Sequence, residues 1–174
     1  MSLHGPLDGL VAAAVAGGGV FARSLRDEPL DEPVWHELAG DAFAPGFEAI
    51  YEGYLLHYGR PRLFAPASQE DALLCGDFLY ARGLTWISQL DDAHAVAALA
   101  ELIAIVSAAR VDAPQADGFA LWAATALGLA EPGDARFGAA RRAFAEQADA
   151  GPLEALLAGR DVSRERAAHV RCAP

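Results

Sequence analysis

Two long runs of helical apolar spacing dominate the chain, and they meet at Asp91-Asp92. Ser68-Gln69-Glu70-Asp71 resembles a capping box, with Asp where Glu is usual, so a helix starts there and runs to about Leu90. Asp91 or Asp92 caps the next helix, which runs to about Arg110. Its stripe is Val96, Leu99, Ala100, Ile103 and Val106, widened by Leu102 and Ile105. The first run carries Gly76-Asp77 inside its apolar body, a pair that a core helix would not normally hold.

Elsewhere the same period recurs. Leu7 to Leu25 reads as a helix weakened or broken at Gly17-Gly18-Gly19. Asp27 to Pro33 is an acidic linker, and Val34 to Leu38 starts a short helix after Pro33. Pro45-Gly46 is read as a break. Phe47, Ile50, Tyr51, Tyr54, Leu55 and Tyr58 then fall at three-and-four spacing, with Glu48 and Glu52 on the opposite face. Gly59 to Ala67 is irregular, with prolines at 61 and 66. Val111 to Pro114 is a connector, Asp117 to Leu129 an apolar helix ended by Glu131-Pro132-Gly133, Asp134 to Ala148 an amphipathic helix, and Pro152 to Leu157 a short one. Arg160 to Arg166 is mixed in charge, and the tail after about residue 160 is expected to be loosely held. No stretch alternates as a strand does. The expectation is one all-α domain over residues 1–174.

Composition narrows the chemistry. Hydrophobic residues make up 53% of the 174, enough for a sizeable core. All 13 basic residues are Arg, which removes Schiff-base, lysine-base and P-loop chemistry. A net charge of -11 disfavours nucleic acid and anionic lipid. Cys75 and Cys172 are too few for a disulfide framework, and free thiols in a cytoplasmic setting are expected. Leu10 to Ala22 is too short to span a bilayer and lacks the basic residues of a signal peptide, so stable membrane insertion is not expected.

Candidate chemistry is sparse. The five histidines show no paired ligand spacing, the serines no nucleophile elbow, and no glycine-rich phosphate loop occurs. Asp91-Asp92 sits at a helix start and reads as a cap, and it is no DDxxD motif, since position 95 is Ala. Trp35, Trp86 and Trp122 read as core. Asp77 and Arg82 lie about 140° apart around a helix, so they do not pair with each other. Asp77 needs hydrogen-bond donors, from a neighbouring helix or from Arg60 or Arg62. Gly76 and Gly83 allow a close helix contact.

From residue 48 to about 130, the order of features resembles the trans-isoprenyl diphosphate synthases. Gly59-Arg60-Pro61 resembles the family's Arg-Arg-Gly-x-Pro turn, and Leu74-Cys75-Gly76-Asp77-Phe78-Leu79-Tyr80-Ala81-Arg82 resembles its small-Gly-Asp-x-Leu helix. The departures are large. The DDxxD segment falls on Glu48-Ala49-Ile50-Tyr51-Glu52, the paired arginines become His57-Tyr58, the lysines are missing, and nothing after residue 130 resembles the second aspartate motif. The chain is most similar to the small non-catalytic component of heptaprenyl diphosphate synthases.

That resemblance implies a truncated isoprenoid-synthase-like bundle with no catalysis of its own. It implies pairing with itself or with a catalytic prenyl diphosphate synthase subunit in isoprenoid biosynthesis. Glu48, Glu52, His57, Arg60, Arg62 and Asp77 would be the remnant cavity or diphosphate site, and Arg82, Trp86, Leu99, Ile103 and Val106 an interface. No cofactor is expected, with Mg2+ only if Glu48 and Glu52 are functional. The residues themselves favour two solvated glutamates on an exposed face, and a centre filled by alanine and leucine. The alternatives are a stand-alone helical dimer binding an apolar or isoprenoid ligand, and a reused helical interaction module.

Overall fold

The computed structural model describes residues 5, 7–112 and 118–174. Among these residues it is all-α, with ten helices: α1 (Asp8–Gly17), α2 (Gly19–Arg23), α3 (His36–Ala39), α4 (Ala44–Tyr58), α5 (Gln69–Ser88), α6 (Ala93–Asp112), α7 (Phe119–Ala130), α8 (Ala135–Gln147), α9 (Gly151–Leu157) and α10 (Ser163–Cys172). The glycine break separates α1 from α2, where Gly18 and Gly19 both take positive φ. The Ser68 hydroxyl accepts the Asp71 N–H at 3.1 Å and starts α5. At the α5–α6 turn Asp91 is left-handed, and the Asp92 carboxylate accepts the Ala95 N–H. The expected connector residues 113 and 114, and the expected helix start at Asp117, lie outside the described residues.

Helix α4 is the centre of the molecule. Pro45 and Gly46 do not break the chain. Pro45 sits in the first turn, where its missing N–H costs nothing, and the helix begins at Ala44. The apolar stripe is one part of a helix buried nearly all round, Glu48 and Glu52 included.

One side of α4 meets α5 through glycine. Gly46 faces Gly83 and Gly53 faces Gly76, so the helices run antiparallel with backbone on backbone. A Cβ built on Gly53 would stand 2.9 Å from the Gly76 carbonyl oxygen, and one on Gly83 2.7 Å from that of Gly46. Both pairs are spaced seven residues apart, two helical turns, so both crossings fall on one line.

A second side of α4 carries Phe47, Tyr51 and Tyr54 into an aromatic centre. The Trp35 and Trp122 rings lie roughly parallel, 6.2 Å apart, and Tyr51 meets Trp122 edge-on at 5.0 Å. Both tryptophans are buried, as expected, while Trp86 is only partly so. The centre is therefore aromatic, and not the alanine and leucine filling expected. α7 supplies Phe119 and Trp122 and is buried along most of its length. A third side, with Ala49 and Leu56, packs on Leu10, Ala14, Phe64 and Leu79.

The segment after about residue 160 is not loose. α10 buries Glu165, Ala168, His169 and Cys172. His169 Nδ1 and the Tyr51 hydroxyl lie 3.0 Å apart in the core. The Arg60 N–H donates to the Cys172 carbonyl at 2.8 Å, and Arg171 grips Asp31 with two bonds of 2.9 and 3.0 Å. The segment has few aliphatic residues, and polar anchors hold it instead. Cys75 and Cys172 are free and buried, and burial raises both thiol pKa values.

The Asp31–Arg171 contact has a pH consequence. The hydrogen bonds from Arg171 are the main reason that the Asp31 carboxyl is held below the ordinary aspartate range. A depressed folded-state pKa gives stability that is present above the unfolded value and lost as pH falls through the folded one. In Arg171→Ala the Asp31 carboxyl is expected to titrate at higher pH. Carbon-detected NMR titration of both proteins checks this, and an unchanged midpoint would show that Arg171 does not set it.

Candidate functional site

The six residues expected to form a remnant diphosphate site do not share one cavity. They fall into a sealed ion cluster, a separate His–Asp pair and one exposed arginine.

The cluster forms where residues 59–67 run back along the acidic linker. Leu30 N–H donates to the Arg62 carbonyl and Arg26 N–H to that of Leu63, both at 2.9 Å. Ala65 N–H donates to Ser24, and Leu25 and Phe64 form an antiparallel bridge. Pinned on both sides, Arg62 turns its side chain onto the α4 face that bears the two glutamates. Nη1 donates to Glu48 at 2.8 Å and Nε to Glu52 at 2.9 Å, and all three side chains are 0% exposed. Glu48 also accepts the Trp35 N–H at 2.5 Å, and Glu52 the Leu63 N–H at 2.7 Å. Nη1 reaches the Glu32 carbonyl at 3.2 Å, and the guanidinium lies 5.0 Å over the Tyr51 ring.

Glu48 and Glu52 are thus not solvated glutamates on an exposed face. Their shared helical face is the side on which Arg62 lands. Burial alone works against the charge of Arg62, but the two carboxylates outweigh it and raise its pKa above the ordinary arginine value. Four donor contacts reach the two carboxylates, two from Arg62 and two from backbone N–H groups.

This arrangement does not fit Mg2+. A divalent ion needs carboxylate oxygens open to it and to diphosphate or water. Here each carboxylate binds Arg62 and one backbone N–H, away from solvent. Among the described residues no group of three or more His, Cys, Asp and Glu could hold a metal ion.

The second group straddles the α4–α5 crossing. His57 Nε2 lies 3.2 Å from Asp77 Oδ1, and its ring stacks 5.2 Å from that of Tyr80. Gly76 makes room for this ring, since a Cβ there would stand 2.5 Å from Nε2. Asp77 is not a buried acceptor for Arg60 or Arg62, because its side chain is 74% exposed and turned to the histidine. Arg60 is exposed on the turn.

The expected interface set divides too. Leu99 and Val106 are buried in the chain's own core, so they cannot form a surface, and Ile103 packs beside them. Arg82 lies over Phe78 and Trp86, and the Trp86 ring covers Gly9 of α1. The buried line of α6 is Ala95, Leu99, Leu102, Ile105 and Val106. Ala100 lies outside it, with Ala97, Ala104, Ala108 and Val111. Sequence reasoning missed this outer stripe because alanine satisfies either face.

α6 is also the one helix among the described residues that is long and apolar enough to span a membrane, with a mean hydropathy of 1.7 over Ala93–Val111. Its inner line in the core accounts for part of that apolar character.

These features define an all-α domain whose central carboxylates are spent internally. Comparison of the chain with protein-family models, curated proteins and solved structures finds no match.

Proposed function

We propose that this chain is a non-catalytic helical interaction protein that pairs through the outer face of α5 and α6. In the finer reading it is a degenerate isoprenoid-synthase-like accessory subunit, and its partner is a catalytic prenyl diphosphate synthase subunit or a second copy. The observation that carries the pairing is the exposure of α6. Its apolar stretch would suit a protein core, yet only 28% of it is buried. The outer line Ala97, Ala100, Ala104, Ala108 and Val111 bears no charge, on a chain of net charge -11. Small side chains at this spacing let a second helix approach closely. The closure of Glu48 and Glu52 around Arg62 supports catalytic silence. The buried aromatic packing of Trp35, Tyr51 and Trp122 disfavours a stand-alone carrier.

Sedimentation of the chain, alone and mixed with a DDxxD-bearing prenyltransferase subunit, tests this. The chain alone is expected to give no Mg2+-dependent prenyl transfer and to associate with itself or with that subunit. Ala100→Arg with Ala104→Arg is expected to abolish association and leave the melting temperature unchanged. Turnover by the isolated chain would sink the accessory reading. Equal association by the double variant would sink the α6 face.

A further inference from the structure

A groove of about 700 Å³ lies between α6, α8 and the turn that joins α7 to α8. Ala98, Leu129 and Phe137 give it an apolar wall, and Phe137 is seated against Gly128, where a Cβ would stand 3.0 Å from the ring. Its polar lining is unevenly committed. Each lining carboxylate already accepts at least one hydrogen bond, and each keeps further acceptor capacity. Asp92 accepts the Ala95 N–H at 2.9 Å, Asp134 is gripped by the Arg136 side chain at 2.6 Å, and Glu101 accepts Arg141 Nε at 2.8 Å.

The donors are not used up. The Arg141 side chain is nine-tenths buried, and its one hydrogen bond among the described residues uses Nε, leaving both amino groups for another acceptor. Arg142 makes no ion pair among the described residues, and a Cβ on Gly138 would stand 3.5 Å from its Nη1, which places that nitrogen over the groove-lining glycine. A concave apolar wall with convergent, unspent donors is the usual form of a small-molecule site. Guanidinium groups match the geometry of carboxylate and phosphate.

We propose that this groove binds a small amphipathic anion. Its carboxylate or phosphate head lies on Arg141 and Arg142, and its short apolar body along Ala98, Leu129 and Phe137. Ala97 borders both this groove and the pairing face of α6, but none of the residues assigned to the head group or to the apolar body belongs to that face.

The test is amide NMR of the full chain titrated with octanoate, octyl phosphate and octyltrimethylammonium. At least one of the two anions is expected to shift amides of residues 94–101 and 137–142, and which of them does so identifies the head group. The cation is expected to leave these amides in place. Arg142→Glu, at an exposed position, is expected to weaken binding about tenfold, the loss of one charge-assisted hydrogen bond, with no change in melting temperature. Arg141→Gln, a second variant, is expected to weaken it as well. A response to neither anion, an equal response to the cation, shifts elsewhere, or unchanged affinity in both variants would each overturn the proposal.

Discussion

Arg62→Ala is expected to destabilise the protein by about 3–5 kcal/mol, the range for breaking a buried ion pair from one side. The substitution removes a guanidinium that is 0% exposed and leaves Glu48 and Glu52 one helical turn apart with no cation between them. Each would keep only its backbone donor, Trp35 N–H or Leu63 N–H. The fold must then protonate them, hydrate them or open. Glu52→Gln is the informative contrast. It keeps an acceptor for Leu63, and it leaves one carboxylate facing one guanidinium, so its cost is expected to be clearly smaller. Arg62→Lys should fall nearer to alanine than to wild type, because a single ammonium cannot reproduce two bonds from separate nitrogens to separate carboxylates. Urea unfolding of the four proteins gives the order. A cost below about 1 kcal/mol for Arg62→Ala, the scale of an exposed pair, would mean that the cluster is not what holds residues 59–67 to α4.

The second large effect concerns the helix crossing. Alanine is the better helix former by up to about 1 kcal/mol, so a glycine in mid-helix is normally improved by Gly→Ala. At Gly83 the opposite is expected. The new methyl would meet Ile50 Cγ1 at 2.6 Å and the Gly46 carbonyl oxygen at 2.7 Å, and the second is backbone that cannot rotate away. Overpacking of this kind costs about 1–3 kcal/mol, enough to reverse the propensity gain. Gly83→Leu should prevent native packing of α4 against α5. Gly138→Ala is the control, because its methyl finds only Arg142 Nη1 at 3.5 Å. It is expected to raise the melting temperature while Gly83→Ala lowers it. Thermal unfolding of the pair decides the point, and equal shifts would contradict the close approach of the two backbones.

These features differ in how readable they were. The α5–α6 hairpin was plain, because Ser68 and Asp92 mark helix starts with local chemistry and the apolar spacing fills the interval. The close contact at Gly76 and Gly83 was foreseen from that helix alone. Its other half was present as Gly46 and Gly53, at the same seven-residue spacing, but Pro45 made Gly46 look like a break. The fate of Glu48 and Glu52 was not readable. Their shared face follows from a four-residue spacing, but whether that face meets water depends on Arg62, ten and fourteen residues on, in a segment without regular structure. The one clue is that Arg62 adjoins the apolar pair Leu63-Phe64. α10 was missed because polar anchors hold it, and Arg171–Asp31 and His169–Tyr51 join residues more than a hundred positions apart. The α6–α8 groove has no local signature, since Glu101 and Arg141 meet only when two helices pack.

The clasp around Arg62 has one more consequence. Residues 30–35 bring it the Glu32 carbonyl, the Trp35 N–H and the Leu30 N–H, while Arg171 and Cys172 fasten Asp31 and Arg60 on either side. Two stretches far apart in sequence are thus fastened to each other and to the segment that carries Arg62. Loosening the C-terminal helix should therefore be felt first in the linker that precedes α3, as a single opening that lets water reach α4 from both directions.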